Sequence, residues 1–211
     1  MVGTKACPPY ENWYLLMHKL ILASGNPGKL KELNDLLSPL GMQLHAQTEF
    51  GVTEAEEPFV TFIENALTKA RHAARCTGLP AIADDSGLCV NALNGAPGVQ
   101  SARYAGEPKS DERNNQKLVL ALSDIEDKTA YYYSVCVLVR HAEDPQPIIA
   151  DGRWNGEICA EPRGTNGFGY DSHFWLPELR KTAAELSPAE KNKFSHRGIA
   201  MRQLLTKLSE L

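Results

Sequence analysis

The first run of apolar positions, Leu20-Ile21-Leu22-Ala23, ends abruptly in Ser24-Gly25-Asn26-Pro27-Gly28-Lys29, the pattern of a buried strand feeding a turn. The apolar period then changes. Leu30, Leu33, Leu36, Leu37 and Leu40 recur at helical spacing, with Asn26 suited to the N-cap, Pro27 to the first helical position and Gly41 to the stop. Strand, glycine turn and helix together read as an α/β unit. Thr61-Phe62-Ile63-Glu64 has the form of a capping box and predicts a second helix through Ala66, Lys69, Ala70 and Ala73, ended by Gly78-Leu79-Pro80.

Ala81-Ile82-Ala83 reads as another buried strand, terminating in Asp84-Asp85-Ser86-Gly87. Residues 95–106 are rich in Gly and Pro, and residues 111–122 predict a third helix. The strongest strand signal is residues 131–139, dense in aromatic and β-branched side chains; residues 147–154 give a weaker strand leading into Asn155-Gly156, a hairpin turn by its composition. These segments predict a β-rich second lobe. Glycines return at Gly164-Thr165-Asn166-Gly167-Phe168-Gly169-Tyr170-Asp171. Ser187-Pro188-Ala189-Glu190 is a second capping box, opening a short helix with Lys191 and Lys193, and a final helix presents Met201, Leu204, Leu205 and Leu208 to the core.

Composition narrows the picture. The chain has 211 residues, 43% apolar and 23% charged, which suits one globular domain over residues 17–211, with residues 1–16 as an extension outside the fold. A net charge of -4 gives no global attraction to nucleic acid, so an anionic ligand has to be held by local basic groups. Five widely spaced cysteines without a Cys-x-x-Cys pair suggest neither a disulfide framework nor a zinc site and fit a reducing cytoplasm. No stretch approaches the ~20 apolar residues that would span a bilayer.

Three sets of residues carry candidate chemistry. Ser24, Gly25, Asn26, Pro27, Gly28 and Lys29 place free backbone N–H groups, a positive dipole end and a lysine at a helix start, a suitable cradle for an anion. The segment is not a Walker A loop, because only two residues separate Gly25 from Gly28 and Leu30 follows the lysine; a plain strand-to-helix turn would look the same. Glu56, Glu57, Asp84 and Asp85 are short acidic pairs on different segments, the hard oxygen donors that magnesium prefers. Glu64 is explained by its capping box alone. Lys191, His196 and Arg197 form a basic C-terminal set able to read a base edge or a phosphate, or simply to be solvated. Lys69 lies one turn after Asn65, and both are expected on the polar side of their helix.

Six ordered motifs together resemble the inosine triphosphate pyrophosphatases, also called XTP/dITP diphosphatases. They are Ser24 to Lys29, Thr-Phe-Ile-Glu-Asn-Ala at 61–66, Asp84-Asp85-Ser86-Gly87-Leu88, Ser101-Ala102-Arg103-Tyr104, Gly167-Phe168-Gly169-Tyr170-Asp171 and Ser195-His196-Arg197, spread over residues 19–208. The resemblance implies an α/β fold with a central mixed sheet and flanking helices, two lobes around a nucleotide cleft, and a homodimer. It also assigns roles: Ser24 to Lys29 on the phosphates, Glu56 and Asp85 on magnesium, and Asp85 as general base. Ser86, Phe168, Gly169, Tyr170, Asp171, Lys191, His196 and Arg197 contact the substrate, with Glu57, Lys69 and Asp84 in support. Ser172 stands where that family usually has Pro.

The expected reaction is hydrolysis of ITP, dITP or XTP to the monophosphate and pyrophosphate, by a water aimed at the α-phosphorus, with Phe168 and Tyr170 as an aromatic platform for the base. Rival readings are a pyrophosphatase for pyrimidine or modified nucleotides, a nucleotide-binding regulator without turnover, and a kinase or phosphatase, the last disfavoured by the missing Walker A loop.

Overall fold

The computed structural model describes residues 19–25, 27–38 and 41–210, with all their side chains except those of Pro27, Glu32, Asp35 and Leu36. The expected extension, Asn26 and Leu40 lie outside the described residues. One seven-stranded sheet runs in the order β2-β1-β3-β4-β5-β6-β7, formed by Lys19–Leu22, Gln43–Ala46, Ala81–Val90, Thr129–Val139, Ile148–Ile158, Phe174–Leu176 and Lys181–Thr182 in chain order. β1 pairs in parallel with β2 and β3, whereas β5, β6 and β7 pair antiparallel, so the sheet is mixed. Among the described residues five α-helices accompany it: α1 (Pro27–Leu37), α2 (Phe62–Thr77), α3 (Asp111–Ala121), α4 (Pro188–Phe194) and α5 (His196–Ser209).

The chain folds as two compact units. The first gathers residues up to Pro58 with Glu64–Asp84 and Val137–Ile149; the second gathers Phe59–Ile63, Asp85–Cys136 and the chain from Ala150 onward. In the first unit Leu20, Ile21 and Leu22 of β1 and Leu33 and Leu37 of α1 are buried. The Asn34 carboxamide then joins α1 to β2, accepting from Leu44 N at 2.9 Å and donating to Leu44 O at 3.1 Å. α2 buries Ala66, Ala70, Ala73 and Ala74, small residues that keep a helix close to its neighbours. The second unit is built on larger side chains, among them Tyr132, Trp154, Tyr170 and Phe174.

Several sequence expectations hold. α1 begins at Pro27, α2 directly after Thr61, and α4 opens on a capping box in which Ser187 Oγ accepts from Glu190 N and Ser187 N donates to Glu190 Oε2 at 2.8 Å. Others are corrected. β3 does not terminate at the acidic pair but continues through it to Val90, and β5 runs straight through Asn155-Gly156 instead of turning. Both glycines serve close approach. A Cβ on Gly87 would lie 2.3 Å from Gly98 O and 2.5 Å from Ser101 Oγ, and one on Gly156 would lie 2.6 Å from Trp175 O on β6. Asn65 is not on a polar face: it is 2% exposed inside α2. Cys89 and Cys136 are the buried thiols expected, while Cys76 is exposed.

Candidate active site

In the first unit, β1 delivers the chain to Ser24 and Gly25, and α1 starts at Pro27, so the backbone N–H groups of the first turn lack intrahelical acceptors. Lys29, in that first turn, forms an ion pair with Asp84 of β3, Nζ to Oδ1 2.8 Å, with the carboxylate side chain only 3% exposed. A buried charge of this kind needs a partner, and the lysine supplies it. A second pair joins Lys69 of α2 to Glu57 in the extended segment before it, at 2.6 Å. Glu56, next to it, is exposed. Each of these two lysines is thus paired with a carboxylate from a different segment.

Asp84 and Asp85 are successive residues of one continuous strand, so their side chains leave on opposite faces of β3. The pair is not one acidic cluster. Asp84 belongs to the lysine, and Asp85 is the less buried of the two. Among the described residues no three His, Cys, Asp or Glu side chains are gathered in a way that would hold a metal by themselves. The available donors are carboxylate oxygens, without thiol or imidazole, which fits a hard cation that keeps its waters and takes its remaining oxygens from phosphate.

In the second unit the segment from Gly167 to Asp171 is a tight loop organised around one buried carboxylate. Asp171 Oδ2 accepts from Phe168 N at 2.9 Å and from Lys191 Nζ of α4. Gly167 has φ +80°, and a Cβ there would fall 2.1 Å from Asp171 Oδ2, so only glycine fits. Gly169 is held at both backbone groups by α3: its N–H donates to Asp111 Oδ2 at 2.7 Å, and its carbonyl accepts from Asn115 Nδ2 at 2.8 Å. The loop therefore presents Phe168, 66% exposed, with Lys191 Nζ 5.0 Å from its ring centroid.

Tyr170 departs from the expected platform. Its ring is 4% exposed within the core, and its hydroxyl donates to Ser101 O at 2.7 Å. Burial pushes its phenol well up, so it stays a neutral donor. Of the two aromatic rings in this loop, Phe168 is the exposed one. Tyr132 is likewise raised, by burial first and then by the Asp171 charge beside it. The His196 ring is buried and stacks on Tyr132, with centroids 4.8 Å apart at 11°. Ser195, the N-cap of α5, accepts from Gly198 N at 3.2 Å, which fixes His196 and Arg197 in the first turn. Arg197 Nη2 then reaches Ser86 Oγ of β3 at 3.4 Å.

Sequence reasoning missed the support behind these groups. Asn114 is buried, donating to Ala102 O at 3.1 Å and accepting from Ala105 N at 2.7 Å, while Ser101 Oγ accepts from Leu88 N at 2.9 Å. Asp111, Asn114 and Asn115 share the first turns of α3, where a polar cluster capped by Ser110 was the available signal.

Comparison with known proteins follows the same lines. A model of the Ham1 family matches residues 20–207. A dITP/XTP pyrophosphatase of Nitrosomonas europaea is 63% identical over 194 residues, covering 92% of this chain and 96% of that protein. One of Aromatoleum aromaticum is 62% identical over 191 residues, covering 90% and 96%. Among solved structures, a HAM1 protein from Coxiella burnetii superposes with a TM-score of 0.89 at 52% identity, covering 92% of this chain and 99% of that one.

Proposed function

The chain belongs to the Ham1 family, and from that premise we propose that it is a pyrophosphatase converting dITP, XTP and ITP to the nucleoside monophosphate and pyrophosphate, clearing non-standard purines from the nucleotide pool. The observation that carries the reading is Lys29, in the first turn of α1, locked to Asp84 immediately before Asp85 on β3. The pair ties the turn at the start of α1 to β3, the strand in which Asp85 follows Asp84. A simple anion-binding turn needs no such carboxylate.

In this reading Ser24 to Lys29 hold phosphate oxygens through backbone N–H groups and the lysine, and Lys69 adds a second cation. Asp85 orients a water and takes its proton as the oxygen bonds to the α-phosphorus; the bond from the α-phosphorus to the bridging oxygen breaks, and pyrophosphate leaves. Magnesium held by Asp85 and Glu56, when bound, supplies charge neutralisation on the triphosphate. Glu56 is preferred to Glu57 because Glu57 is engaged by Lys69.

Arg197, beside Ser86, donates to the 6-keto oxygen of hypoxanthine or xanthine, Phe168 covers the base, and Asp171 and His196 act by positioning Lys191 and Arg197. Adenine, with a donor at C6, leaves an arginine donor unsatisfied, a mismatch that costs up to about 10⁴-fold in a dedicated site. The homodimer implied by the resemblance and the cytoplasmic location suggested by the cysteine usage belong to the same proposal; no described helix is long and apolar enough to cross a membrane. The test is kcat/KM for dITP, XTP, ITP, dCTP, ATP and GTP in wild type and Arg197→Ala. Preference for the 6-keto substrates, reduced by the substitution, supports the reading; equal values for ITP and ATP in wild type, or preference for dCTP, overturns it.

A further inference from the structure

Side-chain hydrogen bonds tie the loop from Gly167 to Asp171 to several parts of the second unit. Asp111 and Asn115 of α3 hold Gly169, the Tyr170 hydroxyl donates to Ser101 O, and the Asp171 carboxylate accepts from the Tyr132 hydroxyl of β4. The first two lead to segments that take no part in the proposed reaction. Tyr132 leads to one that does. The face of its ring stacks on His196, with centroids 4.8 Å apart and planes 11° from parallel, while Phe174 at 4.6 Å and Trp154 at 6.4 Å confine it further. The side chain is 8% exposed, so it has little room to change rotamer. Burial raises the phenol, the Asp171 charge adds to the effect, and the hydroxyl therefore remains a donor to that carboxylate.

What stands at each end matters. Asp171 holds Phe168 N and Lys191 Nζ, and His196 immediately precedes Arg197 in the first turn of α5. Phe168 and Lys191 thus hang from the hydroxyl, and Arg197 sits beside the residue packed against the ring.

We propose that Tyr132 is a positioning residue, a single buried side chain that sets Phe168 and Lys191 through Asp171 and sets Arg197 through His196. The hydroxyl contact governs how well the nucleotide is held. The ring contact governs discrimination, because an arginine rejects adenine only while its donor is kept where the C6 group falls; an arginine free to turn away avoids the mismatch. The consequences for catalysis rest on the assignment of Phe168, Lys191 and Arg197 to the substrate; the link through Tyr132 does not.

Tyr132→Phe keeps the ring and removes the hydroxyl, and Tyr132→Leu removes the stack as well. In Tyr132→Phe KM for dITP should rise about threefold, the scale of one hydrogen bond, with kcat and the preference for ITP over ATP each within about twofold of wild type. In Tyr132→Leu that preference, read as the ratio of kcat/KM values, should also fall at least about fivefold, the scale of an aromatic pair. Tyr132→Met, which fills much of the same space with a flexible chain, gives the same reading should the leucine variant fail to fold. On isotopically labelled full-length protein without nucleotide, amide signals of residues 167–171 should move in both variants, and those of residues 196–198 far more in Tyr132→Leu than in Tyr132→Phe. Unchanged KM in Tyr132→Phe, or a fall of kcat in place of a rise of KM, overturns the role of the hydroxyl. Full retention of the preference in Tyr132→Leu or Tyr132→Met overturns the role of the ring, and its loss already in Tyr132→Phe overturns the division between the two contacts. A wild type that does not hydrolyse dITP refutes the proposed reaction, and the amide signals then decide the link alone: shifts absent at either segment overturn it.

Discussion

The two units treat charge in contrasting ways. In the first, lysines meet carboxylates contributed by other segments, Lys29 with Asp84 and Lys69 with Glu57. In the second, most of the residues in the sequence motif hold up a neighbour: Tyr170 anchors the loop to Ser101, Asp171 secures Phe168 N and Lys191, and His196 lies against Tyr132. The difference separates a region whose motif residues are proposed to meet phosphate from one whose motif residues mostly hold a loop and a helix start in place.

The largest effect should come from Asp85→Asn, which keeps side-chain shape but removes the base. Turnover of dITP should fall on the order of 10²-fold or more with the thermal midpoint little changed. Activity within a few-fold of wild type would remove Asp85 from the mechanism.

Next is Lys29→Met, which takes the cation from a buried carboxylate. The cost should be about 3 kcal/mol of stability, read from urea unfolding, together with a large loss of kcat/KM. A full loss of activity with unchanged stability would mean that the Lys29 to Asp84 pair does not support the fold.

On the other side of the comparison, Tyr170→Phe removes one hydroxyl donor to Ser101 O, where Asn114 Nδ2 also approaches at 3.4 Å. About 1 kcal/mol of stability should be lost, and KM should rise with kcat nearly unchanged. A selective collapse of kcat would place Tyr170 at the reacting atoms and erase the contrast between the units.

The smallest effect concerns acid. Burial pushes the Asp144 carboxyl up, but donors from the Arg140 side chain and from the backbone N–H groups of Arg140 and Gln146 more than offset this, holding it at about 2. A lowered folded value means stability that is present in full above the ordinary carboxylate range and is lost as pH falls through about 2. Urea midpoints for Asp144→Asn should therefore depend less on pH than wild type between pH 4 and 2. Parallel curves would show that Asp144 does not carry this dependence.

The legible part of the molecule is local. The strand, turn and helix at residues 20–37 follow from period and from Pro27, and α4 from its capping box, because those signals act within one or two turns. The failures share a cause. Asp84-Asp85 and Asn155-Gly156 look like strand ends by composition, yet both strands continue, since Gly87 and Gly156 answer close backbone contacts from segments remote in sequence. Burial of Asn65 and Tyr170 is equally tertiary: nothing in their spacing distinguishes a polar group at the surface from one satisfied inside. The short strands β6 and β7, three and two residues long, are fixed by pairing with β5 and with each other and carry little pattern of their own.

The central claim is that water attacks the α-phosphorus of a purine triphosphate. Hydrolysis of dITP in water enriched in oxygen-18, followed by mass spectrometry of the products, tests it most directly. The account predicts one labelled oxygen in deoxyinosine monophosphate and none in the pyrophosphate released. Label in pyrophosphate, or release of orthophosphate with deoxyinosine diphosphate, would contradict it.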